Sequence, residues 1–352
     1  MDWGGRAVLL GAALLVVSAG CAGGGGQTLA AGQAQGGGPS ATSTTAAAGP
    51  GVCTPLAGVA EGDEVSVAAQ WKPGDGRDFT ITRERARAAD DLPDDLSYRT
   101  DVRVEVVDVG PDGTTMRWRQ SGEGLFESAS LDEVMGQLGT RLLERLEDLT
   151  VDYSLDADGR FEKVINREAI RGYLERMMAV MKDVAGDGAE RKVLDRVVEM
   201  MRPVVLADGF IDTAVAQHII TFHGPYGVTL SRAGTRELDD ELPNPFGGQP
   251  IGATSSFEVL TPQDPQGCLR LRMVTAAKPG ALSAITDTLA GATGLNPAAR
   301  EKLRESAKGM TLRGEHRWVI DPTTSWPVSI ESTKTTADPD TTNTDTTIIE
   351  AK

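Results

Sequence analysis

Residues 99–121 read RTDVRVEVVDVGPDGTTMRWRQS, and this stretch decides the fold class of the chain. Polar and apolar side chains alternate over 99–109 and again over 114–121, which is the period of a half-buried strand. Between them stands Gly110-Pro111-Asp112-Gly113, built from residues that favour tight turns. Parallel strands need long crossovers, so strands joined by so short a turn pair antiparallel. The stretch therefore predicts an antiparallel hairpin.

The same pattern recurs on both sides of this hairpin. A second hairpin is predicted for 149–155 with 160–165, and a third for 311–320 with 328–336. Residues 64–71 and 77–83 alternate around a turn at 72–76, which predicts two more strands joined by a tight turn. A last strand is predicted for 341–350.

Amphipathic helices are predicted between the strands. Ser130 and Glu133 form a capping box ahead of an apolar stripe over 131–146. Asn166 is predicted to cap the next helix, and Pro203 to kink or stop the one after it. Further helices are predicted at 281–289 and from Pro297 to Gly309. The fold class is therefore α+β, a curved antiparallel sheet with amphipathic helices packed on it.

The order of elements suggests an internal repeat. Strands, helices and a hairpin occur over 64–166 and again over 228–350, and the helical segment 167–222 joins these halves. The sequence leaves two interpretations open, which are two pseudo-repeated units and one sheet with helices inserted at its turns.

The chain begins with an apolar run that is too short to span a bilayer stably. Residues 7–17 are apolar, and Ala19 and Gly20 offer small side chains to a signal peptidase. Cys21 follows them at once, so the segment resembles the lipobox of bacterial lipoproteins, although Ser18 stands where that family usually carries an aliphatic residue. The resemblance implies cleavage before Cys21, acylation of its thiol with chains such as palmitate, and anchoring to a bacterial membrane that faces the periplasm or exterior. The alternative is an ordinary cleaved signal with an incidental cysteine.

Composition after the signal predicts a tether and then one folded region. Residues 22–50 carry no charge and consist almost entirely of Gly, Ala, Ser, Thr and Gln, which cannot bury enough apolar surface to fold. The predicted organisation is a signal peptide at 1–20, an acylated cysteine and disordered tether at 21–52, and a globular α+β domain at 53–352. Cell-envelope localisation follows from the anchor.

Charge and cysteine content narrow the function classes. A net charge of −16 argues against nucleic-acid partners, and 5% aromatic residues argue against an aromatic-lined carbohydrate groove. With Cys21 assigned to lipid, Cys53 and Cys268 form an even pair. In an oxidising compartment they are candidates for a disulfide, and the alternative is two separate thiols.

Motifs for catalysis or metal binding do not stand out. His218 and His223 are five residues apart rather than four, and together with His316 they are predicted to be solvated or capping side chains. The segments that start at Asp156 and Asp338 lack calcium ligands at the required positions and are predicted to be turns. No nucleophile motif occurs in the sequence, so we expect neither an enzyme nor a cofactor or metal.

A methionine-rich patch on the central helices offers a candidate ligand site. Its residues are Tyr173, Met177, Met178, Met181 and Met201. Thioether side chains repack easily, so this patch suits an apolar ligand as well as an ordinary core.

The end of the chain resembles the half-barrel domains of periplasmic lipoprotein carriers and related uncharacterised envelope lipoproteins. The similar segments are Gly314-Glu315-His316-Arg317-Trp318-Val319-Ile320-Asp321-Pro322 and Trp326-Pro327-Val328. The resemblance implies an apolar cavity between sheet and helices. The leading hypothesis is a non-enzymatic envelope protein, anchored in the membrane by lipid, that binds a hydrophobic small molecule or an envelope protein. The alternatives are a structural or assembly lipoprotein that acts through its acidic surface and a carboxylate-based hydrolase.

Overall fold

The structure is a computed structural model that describes residues 53, 64–88, 96–128, 148–184, 189–231, 235–242, 250–260, 267–282, 296–338 and 341–352. The predicted signal peptide, Cys21 and the whole tether lie outside the described residues, as do the predicted helix at 131–146 and most of the one at 281–289.

Strands make up most of the described residues. Their bounds are β1 Glu64–Ser66, β2 Gly76–Ala88, β3 Leu96–Gly110, β4 Gly113–Ser128, β5 Leu149–Leu155, β6 Phe161–Val164, β7 Thr229–Ser231, β8 Thr235–Leu242, β9 Ile251–Leu260, β10 Leu269–Ala277, β11 Thr311–Ile320, β12 Pro327–Ala337 and β13 Thr342–Ala351. The helices are α1 Arg167–Val184, α2 Ala189–Val205, α3 Asp208–Phe210, α4 Gln217–His223 and α5 Pro297–Lys308, with a π-helical turn at Ile211–Val215.

Among the described residues, eleven strands form one sheet in the order β6-β5-β4-β3-β2-β13-β12-β11-β10-β9-β8. Each neighbouring pair runs antiparallel. The order is two meanders, β2 to β6 and β8 to β13, joined where the first strand of one pairs with the last strand of the other. The three predicted hairpins and the predicted last strand are confirmed. The chain is thus mostly antiparallel sheet with helices, as the hairpins indicated.

The predicted pairing of the first two strands is wrong. β1 ends at Ser66 and pairs with β7 in a separate two-stranded sheet instead of forming a hairpin with β2. The segment that follows β1 leaves the extended ladder and buries Val67 and Trp71 in the core. Gly227 donates its N–H to the Val67 carbonyl, which holds this segment beside α4 rather than along β2.

The helices of the central segment follow the prediction with one difference. α1 and α2 form as expected, and α2 ends two residues after Pro203. Asn166 was expected to cap α1 through its side chain. Its amide instead bonds β5, since Oδ1 accepts the N–H of Asp152 and Nδ2 donates to the carbonyl of Thr150. The side chain therefore fixes the start of α1 against the sheet.

The sheet bends around α4. The backbone carbonyl of Thr221 in this helix accepts a hydrogen bond from Nε1 of Trp318 on β11. His223, two residues further along the same helix, contacts Tyr153 on β5. β5 and β11 stand six places apart in the sheet order. In a flat sheet, strands six places apart would be separated by roughly 29 Å, whereas a helix of seven residues is only about 10 Å long. Both contacts can form only if the two meanders curl toward the same helix.

We call the side of the sheet that faces α4 the inner face. One continuous hydrophobic core joins this face to α1, α2 and α4. A smaller cluster of Leu242, Ile251, Ala253 and Leu282 lies at the β8 end.

Candidate functional site

The five residues predicted to contact a ligand all belong to the main core. Met177, Met178 and Met181 on α1 are almost fully buried. Tyr173 on α1 and Met201 on α2 are partly buried and pack against the same cluster. The structure therefore brings the predicted patch together at the interior side of the helices.

The sheet adds two methionines that sequence analysis did not single out. Met116 on β4 and Met273 on β10 are buried in the same core. Both positions are apolar members of an alternating strand, so strand periodicity could have assigned them to the interior. Five buried methionines, from α1 and from the sheet, thus pack in one core between helix and sheet.

An aromatic cluster surrounds the end of α4. His223 lies between Trp71, Tyr153 and Tyr226, with ring centroids 5.4, 5.5 and 5.6 Å away. Trp71 also contacts Trp326 at 5.5 Å. Such ring pairs each contribute about 0.5–1.5 kcal/mol beyond their buried area, so the cluster anchors α4 inside the sheet.

Two hydrogen bonds cross this cluster. The Tyr153 hydroxyl and His223 Nε2 are 2.9 Å apart, and the Tyr226 hydroxyl donates to the carbonyl of Ser325 at 2.5 Å. Burial lowers the pKa of His223 to about 3 and raises the pKa of both tyrosines. All three side chains are therefore neutral near pH 7. Buried Nδ1 of His223 and Nε1 of Trp71 have no hydrogen-bond partner.

The prediction of solvated or capping histidines is wrong for two of the three. His223 and His316 are 1% and 2% exposed, because His316 lies on the inner face of β11 and the ring of His223 packs into the aromatic cluster at the end of α4. His316 stacks on Trp318 at 5.6 Å, and burial lowers its pKa to about 4. Among the described residues no group of three or more His, Cys, Asp or Glu side chains could hold a metal ion.

The inner face changes character along the central strands. Trp318, Ile330, Ile349 and Ile81 are in register across β11, β12, β13 and β2, and all four are buried. We call this line the apolar row. Next to the apolar row, two residues away along each of these strands and on the same face, lies a polar row. It contains His316, Ser332, Thr347 and Arg83, which are also in register.

Charged residues lie two positions beyond the polar row, on the same face of the sheet. Lys334 on β12, Asp345 on β13 and Arg85 on β2 are in register with one another. The Asp345 carboxylate bridges two guanidinium groups. Its Oδ1 accepts from Nε of Arg83 at 3.1 Å, and its Oδ2 accepts from Nη2 of Arg85 at 3.2 Å. We call Arg83, Arg85 and Asp345 the Asp345 cluster.

Arg83 is the most enclosed member of this cluster. Its side chain is 8% exposed, compared with 18% for Asp345 and 26% for Arg85. Its Nη1 is buried and makes no hydrogen bond. His218 on α4 lies close enough that Arg83 and burial together lower its pKa to about 4. A neutral imidazole therefore faces the cluster near pH 7.

The candidate calcium segments are turns, as predicted. Asp156 accepts the N–H groups of Asp158 and Arg160, and Asp338 accepts the N–H of Thr341. Asp321 does the same for Thr323. These carboxylates stabilise the backbone of their own turns.

The two cysteines of the folded region form a disulfide. Cys53 and Cys268 have their Cα atoms 5.1 Å apart, and both side chains are buried. The bond fixes residue 53 at the start of β10. The prediction of this pair from cysteine count is confirmed.

Comparisons with known proteins assign no family to the chain. No protein-family model matches it, and no curated protein matches it. Among solved structures, one described as lipid–protein interactions in lipovitellin has a TM-score of 0.37 at 8% identity, over 80% of this chain and 25% of that one. The chain thus spans about a quarter of the lipovitellin chain. DynF from the dynemicin biosynthesis pathway of Micromonospora chersina has a TM-score of 0.20 at 6% identity, over 85% and 89% of the two chains. Neither likeness is close enough to support a function.

Within the described parts of the chain, no helix is both long enough and apolar enough to cross a bilayer.

Proposed function

We propose that this chain is a lipid-anchored protein of the bacterial cell envelope that binds a hydrophobic small molecule between its sheet and its helices. In this proposal the sheet is a half-barrel, the helices close its open side, and Cys21 carries the lipid. The observation that carries the proposal is the set of five buried methionines that line both walls of the interior.

Methionine suits a core that must both pack and make room for a ligand. Its side chain has three rotatable bonds, so it adapts to irregular volumes and specifies packing poorly. Placed on α1 and on opposite parts of the sheet, such side chains allow helix and sheet to separate around a ligand and to close again without it. Leucine at the same positions would fix one packing arrangement.

Binding is tested with dodecanol, a neutral amphiphile, and the full chain that carries Cys21→Ser and therefore no acyl group of its own. Native mass spectrometry and calorimetry are expected to show one dodecanol per chain. Met181→Phe enlarges an interior side chain and should weaken binding at least five-fold. Met200→Phe is the matched control, because Met200 lies on α2 and is 37% exposed. If the unsubstituted interior binds neither dodecanol nor any other twelve-carbon amphiphile up to its solubility limit, ligand binding is refuted.

Anchoring is tested separately, by following the chain in fractionated cells. The unsubstituted protein should sediment with membranes, and Cys21→Ser should release it into the soluble fraction, because it removes the thiol that carries the acyl chains and with it their buried methylene groups. Ala22→Ser is the control and should leave the protein in the membrane fraction. A Cys21→Ser protein that still sediments would contradict the anchor.

A further inference from the structure

We propose that the Asp345 cluster binds the anionic head group of an amphiphile whose alkyl chain lies along the apolar row. This inference rests on the proposed function and names the class of ligand, which is a single-chain molecule with a carboxylate or phosphate at one end.

The first argument is the unused hydrogen-bonding capacity of Arg83. Asp345 takes the Nε and Nη2 donors of this side chain, with Nη2 at 3.0 Å from Oδ1. Nη1 remains buried without a partner. A buried donor without an acceptor is costly, and more so on a charged group. Oxygen atoms of a carboxylate or phosphate are the acceptors that fit a guanidinium best.

The second argument is local charge. Arg83 and Arg85 bring two positive charges to one carboxylate. His218 is neutral there near pH 7 because its pKa is lowered to about 4. Among the residues of β2 and β13 that the structure describes, the Asp345 cluster therefore carries two positive charges and one negative charge, although the whole chain carries −16. Such a reversal of sign in an acidic protein favours an anion.

A network in which the charges balance lies on the outer face of other strands of the same sheet, β9 to β12. Arg272 there donates to Glu258 and to Glu315 at 2.9 Å each, and Glu315 also accepts from Arg317 at 2.8 Å. Arg313 also lies 3.6 Å from Glu315, and Arg317 lies 3.7 Å from Glu331, so three arginines meet three carboxylates. On the inner face of the described strands, by contrast, Arg83 and Arg85 both pair with the single carboxylate of Asp345.

The third argument is the position of the cluster relative to the apolar row. Ile81 precedes Arg83 by two residues on β2, so the two side chains share a face and lie about 6.6 Å apart along the strand. On the neighbouring antiparallel strand β13, Ile349 lies two residues from Thr347, so these two side chains also share the inner face. A molecule that placed its charged end at Arg83 would meet hydroxyl and then hydrocarbon side chains in the direction of Trp318. This gradient matches an amphiphile and would be unnecessary for a free anion.

The test compares four probes on the full chain that carries Cys21→Ser. These are dodecanoate, dodecyl phosphate, dodecanol and acetate, titrated by calorimetry at pH 7.5. At least one of the two anionic amphiphiles should bind ten-fold or more tightly than dodecanol, and acetate should not bind measurably. Equal affinity for the charged and neutral twelve-carbon probes overturns the head-group site but leaves the proposed function intact. If acetate binds as tightly as dodecanoate, the alkyl chain does not contribute to binding and the proposal of an amphiphilic ligand is wrong. No binding of any twelve-carbon probe refutes the proposed function itself.

Variants assign the site within the fold. Arg83→Gln should reduce the affinity for the anionic amphiphile at least ten-fold and leave dodecanol within two-fold. Arg272→Gln removes a comparably paired arginine from the outer face and should change neither. Asp345→Asn removes the competing carboxylate, so it should strengthen anion binding, which a loss of folding cannot imitate. Unchanged binding in both Arg83→Gln and Asp345→Asn overturns the assignment, provided that thermal unfolding shows both variants folded.

Discussion

The Tyr153 hydroxyl lies 2.9 Å from Nε2 of His223, and this contact connects β5, the strand next to the edge of the sheet, to the last residue of α4. Both side chains are buried and neutral near pH 7. Because α4 also contacts β11 through Trp318, the hydrogen bond helps to hold the two meanders around a common helix.

Replacing Tyr153 with Phe should lower the free energy of unfolding by about 1–3 kcal/mol, because it leaves buried Nε2 of His223 without a partner. Urea denaturation measures the change. Tyr98→Phe is the control, since Tyr98 is only partly buried and accepts a long hydrogen bond of 3.4 Å from Gln120. Its effect should stay below about 1 kcal/mol. Equal effects of the two substitutions would contradict a special role for the Tyr153 contact.

The buried histidines make the fold sensitive to acid. His223 and His316 have pKa values lowered to about 3 and about 4, whereas an unfolded histidine titrates near 6.5. Between pH 6.5 and 4 the unfolded chain binds protons that the folded chain does not. Stability should therefore fall by about 1.4 kcal/mol per pH unit for each of them as the pH drops through this window.

Urea midpoints at pH 7.5, 6.0 and 5.0 measure this loss. His316→Gln should show a smaller decrease than the unsubstituted protein over the same range, even if it is less stable at pH 7.5. Carboxylates with lowered pKa, such as Glu315, lose their contribution only at lower pH, so they do not obscure the comparison. An identical pH dependence in the two proteins would show that His316 is protonated in the folded state.

The turn that decided the fold class depends on one glycine. Gly113 has φ of +148°, and a Cβ there would lie 2.0 Å from the carbonyl oxygen of Leu155 on β5. Gly113→Ala should therefore lower the free energy of unfolding by more than 2 kcal/mol, by strain and by separation of β4 from β5. Gly110→Ala is the matched control in the same turn, where the nearest atom would be 3.8 Å away. Thermal unfolding distinguishes the two, and equal stability would contradict the close approach.

Local signals explain which parts of this fold were predictable. The turn at 110–113 and the segments beside it lie within one stretch of sequence, so their pairing could be read directly. β2 pairs with β13, which is more than 250 residues away, and no local pattern specifies such a partner. The same reason accounts for β1, whose partner β7 lies beyond the whole helical segment.

One residue of the candidate head-group site, Arg83, could be predicted from the sequence. Phe79, Ile81 and Arg83 alternate with exposed or polar neighbours, so strand periodicity places Arg83 on the buried face. A charged residue at a buried position marks a paired or functional group. What the sequence could not show is that Asp345 is shared with Arg85, because that pairing depends on the distant contact between β2 and β13.

The disulfide should supply much of the stability of the sheet. It joins residues 215 apart, and in the chain-entropy model closing a loop of this length stabilises the folded state by about 5 kcal/mol. Guanidinium denaturation of the oxidised protein, with and without reductant, should therefore show a large decrease in midpoint upon reduction. The double variant Cys53→Ser with Cys268→Ser should match the reduced protein and should not respond to reductant. If the oxidised protein and the double variant unfold at the same midpoint, the bond does not restrict the unfolded chain, and the packing of residue 53 against β10 alone holds this end of the domain.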